Sequence, residues 1–183
     1  MAEFQIETER LILREWRESD HLPFHAMFLD ADVMAFLSPT LELPDSLNDV
    51  AAVIARLRAT QAEHGCCFWA VERLEDSQFI GFCGVEPGPE ATPIENRLEI
   101  GWRLARDFWG QGYALEAAKA SLGWAFANLK DDSVWAITVP ANTRSWGLME
   151  RLGMKRQHDM DFDHPNVPHG SPLKQHITYR IGR

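Results

Sequence analysis

The stretch Leu98–Ala118 reads LEIGWRLARDFWGQGYALEAA and decides the fold. Its first part, Leu98 to Ala105, is a short apolar run suited to a strand. After the turn Arg106–Trp109, Gly110 and Gly112 remove side chains where a loop enters a helix running from Gly112 to Asn128. Leu115, Ala118, Leu122, Ala125 and Leu129 recur along one stripe of that helix. The first N–H groups of a helix have no internal partners and sit at the positive end of its dipole. A pyrophosphate is the expected guest of such a corner.

Outward from this stretch, strands and helices alternate along the chain. Thr8–Trp16 reads as a strand, Ser19–Asp20 caps a helix through Phe28, and Asp30–Leu37 continues as a short second helix. After Pro39 and Pro44, Asp45–Ser46 opens a helix to about His64, with Val50, Val53, Ile54 and Leu57 at helical spacing and Gly65 as its stop. Cys66–Leu74 and Phe79–Val85 form a hairpin across the polar residues 75–78. Val134–Val139 is a strand broken by Pro140, Asn142–Leu152 a helix closed by Gly153, and Ile177–Ile181 a last strand. The pattern predicts one α/β domain over residues 1–183 around a mixed sheet.

Composition narrows the function. A formal net charge of −9, from 27 acidic against 18 basic residues, argues against nucleic acid and mildly for a cationic partner such as an amine. Cys66, Cys67 and Cys83 supply neither a disulfide framework nor a zinc spacing, and each falls in an apolar run where a buried thiol is the default. The N-terminal segment carries acids in place of a signal peptide's basic and apolar regions, and no apolar span has membrane length. A reducing cytoplasm is the expected setting. His158, His164, His169 and His176 tempt as a metal cluster, but their spacings fit no zinc pattern, so the reading is no metal and a solvated loop.

Three phosphate-loop patterns compete for the glycines. A dinucleotide fingerprint needs a small residue where Leu115 stands, and a Walker loop needs a Gly-Lys-Ser/Thr string that is absent. Trp109-Gly110-Gln111-Gly112-Tyr113-Ala114 instead resembles the coenzyme A pyrophosphate loop of the GNAT acetyltransferase superfamily, with Trp109 in place of the usual Arg or Gln, as in its RimJ/RimL-like branch. Residues 139–154, VPANTRSWGLMERLGM, are similar to the family's strand, Asn-x-x-Ser, helix and Leu-Gly-Met segment. The opening Thr8–Arg14 is similar to that branch as well.

The resemblance implies acetyl-coenzyme A as co-substrate and an amine as acceptor, and it leaves a homodimer open. It implies a mixed, mostly antiparallel sheet with helices on both faces and a splay between the strands near 98–105 and 134–139, with the pantetheine arm in the gap beside the backbone of Trp102 and Leu104, and a contact from Asn142. Glu99 is the implied base, unless it is an ordinary strand residue facing solvent or paired with an arginine such as Arg97. A backbone N–H near Trp102 would receive the oxyanion. Where relatives carry a tyrosine to protonate the leaving thiolate, this chain has Met149, so Ser145 is the candidate donor or else a plain pantetheine contact. Two other readings stay open, a silent acyl-coenzyme A-binding module of the same fold and a nucleotide-binding α/β protein.

Overall fold

The computed structural model describes residues 4–37, 44 and 46–183. Two short strands open it, β1 (Gln5–Glu7) and β2 (Leu11–Arg14), followed by helices α1 (His21–Leu29), α2 (Ala31–Met34) and α3 (Leu47–His64). Strands β3 (Phe68–Arg73), β4 (Gln78–Pro87) and β5 (Leu98–Leu104) form a meander, and α4 (Tyr113–Asn128) crosses to β6 (Ser133–Thr138). Helix α5 (Thr143–Arg151), β7 (Lys155–Arg156), β8 (Phe162–Asp163) and β9 (Gln175–Gly182) complete the chain. The sheet order is β1-β2-β3-β4-β5-β6-β9-β7, with β8 paired to β9. Among the described residues, no helix is long and apolar enough to cross a membrane.

Local chemistry explains where the elements stop. Ser46 caps α3, its Oγ accepting from Asp49 N–H at 3.3 Å while Asp49 Oδ2 accepts from Ser46 N–H at 3.0 Å. Gly65, at φ 75°, ends the same helix in the left-handed region that glycine enters without penalty. Pro39 and Asp45, part of the expected boundary, lie outside the described residues. The expected strand over Thr8–Trp16 shrinks to Leu11–Arg14, because Thr8–Arg10 turns the chain back onto the unforeseen strand β1. β7 and β8 are two-residue strands, too short for periodicity to register.

Helices cover both faces. On one face α4 packs against β4 and β5, and its buried stripe is Ala117, Ala118, Ser121, Leu122 and Ala125. Leu115 departs from the predicted stripe and faces a cleft instead. On the other face α1 and α3 enclose Trp16, Phe24, Phe79 and Phe82. Phe68 stacks on Phe82 with ring centres 5.6 Å apart and lies over Gly101, where a Cβ would meet its ring at 2.7 Å. All three cysteines are buried, and burial pushes the Cys66 and Cys83 thiols up to about 11 and about 12.

A buried ion network joins β2, β3 and the start of α1. The Arg14 guanidinium, 3% exposed, donates to both Asp20 carboxylate oxygens at 2.8 Å and to Glu72 Oε2 at 2.7 Å. Asp20 also accepts from Arg17 N–H at 2.7 Å. Removing one member strands a charge away from water, so Asp20→Ala is expected to cost roughly 3–5 kcal/mol of folding stability. Chemical denaturation checks this as a lower midpoint at an unchanged slope. A loss below about 1 kcal/mol would mean that Glu72 satisfies Arg14 unaided.

Candidate active site

The sheet opens between β5 and β6. These strands run parallel, and a single register pair, Glu99 with Trp135, joins them. On its other side β5 is paired with β4 from Leu98 to Leu104. Ala105 N–H donates to Ile80 O at 2.9 Å, so by the alternation of an antiparallel ladder Trp102 and Leu104 turn their N–H and C=O groups away from β4 and toward the gap. Leu104 O already accepts from the Trp109 indole N–H at 2.7 Å. The open edge therefore consists of the Leu104 N–H and both polar groups of Trp102.

The gap belongs to a cleft of about 1210 Å³ that runs from the α2 end past β5 to the first turns of α4 and α5. Of the site residues expected from sequence, Glu99, Trp102, Leu104, Trp109, Gly110, Gly112, Tyr113, Ala114, Asn142 and Ser145 all line it. Gln111 does not. Its side chain folds back to donate to Asp107 O at 2.8 Å, because the loop presents its glycines rather than this residue to the cleft.

Gly110 and Gly112 adopt φ 74° and 84°, a conformation in which other residues are strained. Gly112 is the N-cap of α4, and no side chain caps that helix, so its first N–H groups are left for a ligand. The loop is anchored from the far end of the chain. Glu116 accepts from Thr8 Oγ1 at 2.7 Å, from Arg10 N–H at 2.8 Å and from Arg10 Nε at 2.7 Å. Arg10 also donates to Gln111 O at 3.0 Å and covers the Tyr113 ring at 4.6 Å. Thr8, Arg10 and Glu116 thus set the loop's shape, which the sequence reading missed although all three lie in the quoted motifs.

Glu99 is half-buried and has no hydrogen-bond or ion-pair partner among the described residues. Desolvation, with the charge of Glu86 as the lesser cause, pushes its carboxyl up to about 8. Glu86 is its direct cross-strand neighbour on β4, itself raised by burial and only loosely held by Arg56 at 3.6 Å. Arg97 is no partner for Glu99, since it lies over the Trp135 ring at 4.4 Å.

On the opposite wall, Asn142 caps α5 by accepting from Ser145 N–H at 3.3 Å. Ser145 Oγ has no partner among the described residues, and Met149 is buried below it in the helix. Tyr179 donates to Glu150 at 3.3 Å and does not line the cleft. Arg144, unremarked in the sequence, also lines the cleft with its guanidinium 4.7 Å over the Trp109 ring. No group of three or more His, Cys, Asp or Glu able to hold a metal occurs among the described residues. His164 and His176 are not a solvated loop as expected. Their rings sit 4.8 Å apart on the cleft rim, and desolvation lowers both, His176 to about 4. His164 lines the cleft and Asp163 does not.

A parallel strand pair that diverges beside a glycine-opened helix with no side-chain cap is the arrangement that the GNAT resemblance implied, and the comparisons with known proteins agree. The model of the acetyltransferase (GNAT) domain matches residues 10–155. YkkB of Bacillus subtilis is 33% identical over 156 residues, covering 84% of this chain and 86% of that protein. The N-acetyltransferase YnaD of the same organism is 27% identical over 181 residues, covering 96% and 95%. A GNAT-family acetyltransferase structure from Bacillus anthracis superposes with a TM-score of 0.78 at 26% identity, over 98% of each chain. The RimL ribosomal L7/L12 acetyltransferase, solved with coenzyme A, shares the fold at a TM-score of 0.79 and 14% identity, over 98% of each chain.

This chain belongs to the GNAT acetyltransferase family. It is an N-acetyltransferase, as its relatives are named.

The glycine loop yields a direct test. A side chain at position 112 forces a left-handed backbone on a β-branched residue and presses on Arg10, whose Nη2 lies 3.4 Å from the added Cβ. Gly112→Val is expected to cost about 1–3 kcal/mol of stability and to weaken coenzyme A binding by at least about tenfold. Calorimetric titration of the folded variant measures the second effect. Unchanged affinity would remove this loop as the phosphate site.

Proposed function

We propose that this protein transfers the acetyl group of acetyl-coenzyme A to a primary amine by direct attack in a ternary complex within the β5–β6 cleft. What carries the reading is one juxtaposition: an unpaired carboxylate, Glu99, at the point where the strands separate, on the strand that leads into the uncapped α4 N-terminus. The residues fit the co-substrate. Gly110, Gly112 and the first N–H groups of α4 suit a pyrophosphate, and the open edge at Trp102 and Leu104 suits the amides of a pantetheine arm. When bound, acetyl-coenzyme A supplies an activated thioester.

The chain's own residues then have three tasks. An ammonium has no lone pair, so the acceptor must lose a proton, and Glu99 takes it directly or through water. A carboxyl raised to about 8 holds a proton well, so the base is matched to amine chemistry at the cost of being mostly protonated at neutral pH. The Trp102 N–H, turned into the gap, stabilises charge developing on the thioester oxygen. Ser145, with a free hydroxyl on the opposite wall, hydrogen-bonds the departing sulfur.

Thiol release from acetyl-coenzyme A across a panel of primary amines tests the proposal as a whole. Retention of coenzyme A without thiol release from any amine would favour the silent binding module, and retention on nucleotide resin but not coenzyme A resin would overturn both.

Glu99→Gln is expected to lower kcat by on the order of 10²–10⁴ with little change in acetyl-coenzyme A affinity. The active form of the base is the carboxylate, so wild-type kcat should rise with pH through the region around 8, and this limb should vanish in the variant. Glu86→Gln removes the like charge, the lesser cause of the raised value, and should move the limb modestly to lower pH. A pH–rate profile with the limb unmoved by Glu99→Gln would assign Glu99 to structure.

Loss of the Ser145 hydroxyl should appear in the chemical step, because charge on sulfur develops only late in the reaction. Ser145→Ala is expected to reduce kcat by roughly ten- to a thousandfold, and Ser145→Cys by less. Weakened coenzyme A binding at unchanged kcat would make Ser145 a grip on the pantetheine and nothing more.

A further inference from the structure

Glu99 is one of two charged groups that β5 sends to the same face of the sheet. Arg103, four positions further on, shares that face because side chains alternate along a strand. Its cross-strand neighbour is Phe82, and its guanidinium carbon lies 5.2 Å from the Phe82 ring centre and 5.6 Å from that of Phe28. It lines the cleft. Among the described residues, no carboxylate, carbonyl or hydroxyl accepts a hydrogen bond from it. The carboxylates at the α1–α2 corner, Asp30 and Asp32, are held by Arg106 at 3.3 and 3.0 Å. Glu99 stands about 13 Å away along the strand at the backbone, too far to neutralise it.

This arrangement leaves the guanidinium donors to water or to a ligand in the cleft. Two aromatic faces attract a cation, yet they satisfy none of the five guanidinium donors. Desolvation by the surrounding protein lowers the Arg103 guanidinium to about 10, while its nitrogens stay open to the cleft. The face also matters. Trp102 and Leu104, on the alternate positions of β5, pack with the core beneath α4, where the coenzyme's phosphates are placed. Phe28 and Phe82 lie on the other side of the sheet, against α1 and α3. An anion reaching Arg103 from the cleft therefore comes with the second substrate.

We infer that Arg103 binds an anionic group carried by the acceptor, so that the amine acetylated in this cleft also bears a carboxylate or a phosphate. Glu99 and Arg103 then form the two ends of a site for a zwitterion, one facing the amine and the other the anion. A planar guanidinium presents paired donors to either oxyanion, and the flanking rings hold it in place. This inference rests on the acetyl-transfer reading for the identity of the cleft.

The test uses primary amines in matched pairs: glycine with glycinamide, β-alanine with its amide, phosphoethanolamine with ethanolamine, and a peptide carrying Glu with its Gln counterpart. Thiol release gives kcat/KM, and calorimetry on the coenzyme A-loaded protein gives affinity without requiring turnover. The anionic member is expected to be preferred by on the order of ten- to a hundredfold. The carboxylate and phosphate arms show which anion is taken. Arg103→Met, which keeps packing against Phe28 and Phe82, should collapse the preference mainly through KM, and Arg103→Lys should restore part of it.

Equal affinity and equal kcat/KM within every pair in the wild type would overturn the inference while leaving acetyl transfer standing. So would equal losses for both members of each pair in Arg103→Met, or a loss of coenzyme A affinity with the preference intact. Anion-dependent binding that needs Arg103, with no thiol release from any amine, would instead sink acetyl transfer and keep this site.

Discussion

Beyond the Glu99–Trp135 pair, β5 and β6 separate, and the backbone of β5 keeps polar groups with no strand to bond. A buried backbone group without a partner costs roughly 1–3 kcal/mol, so an opening of this kind must be capped, wetted or filled by something that bonds like a strand. The protein caps one of these groups itself, the Leu104 carbonyl, with the Trp109 indole. It leaves the others toward a cleft whose walls come from elements far apart in sequence. The rest of the architecture keeps that opening from closing. β4 holds β5 from Leu98 to Leu104, β9 holds β6 along its whole length, and α4 and α5 stand on either side of the gap.

A phosphate corner is useful only if its shape survives the absence of phosphate. Two left-handed glycines one residue apart make a flexible hinge by themselves, because glycine gains the most freedom when released. The Thr8–Arg10–Glu116 tie removes that freedom by bonding the first turn of α4 to the β1–β2 turn, with Arg10 reaching the Gln111 carbonyl inside the loop. The N–H groups of α4 are then aimed before a ligand arrives, and binding does not have to supply the ordering.

The core elements were legible because each carries its own signal. Ser46, Asp49 and Gly65 bracket α3 in the sequence as they do in space, and the residues between carry a helical period. The cleft was legible through the two motif segments, which name backbone features such as the glycines and the Asn142 cap rather than distant contacts. What could not be read is what depends on pairing across the chain. Gln111 sits inside the motif yet points away, its amide bonded to the Asp107 carbonyl four residues back while Arg10, from the far end of the chain, binds its carbonyl. Leu115 fits the helical stripe but falls on the cleft side, because small residues one position round the helix let α4 sit close to the sheet. His164 and His176 come within 4.8 Å only because β8 and the loop after it fold back on β9, and a two-residue strand leaves no periodic trace.

The chain's treatment of its arginines separates structure from function. Arg14 is as buried as the core around it, and each nitrogen of its guanidinium meets a carboxylate or a carbonyl. Arg106, Arg156 and Arg10 each hold an acid. A sequence able to satisfy these groups at such distances had the means to pair Arg103 and Glu99 too, by one register shift or one acid on α1 or α2. Both instead face the cleft with no hydrogen-bond or ion-pair partner among the described residues, on one face of one strand. Two unpaired charges of opposite sign on one face of one strand, both open to the same cleft, are suited to a ligand that carries both signs. Too far apart to neutralise each other, the two charges are left to a molecule that carries both.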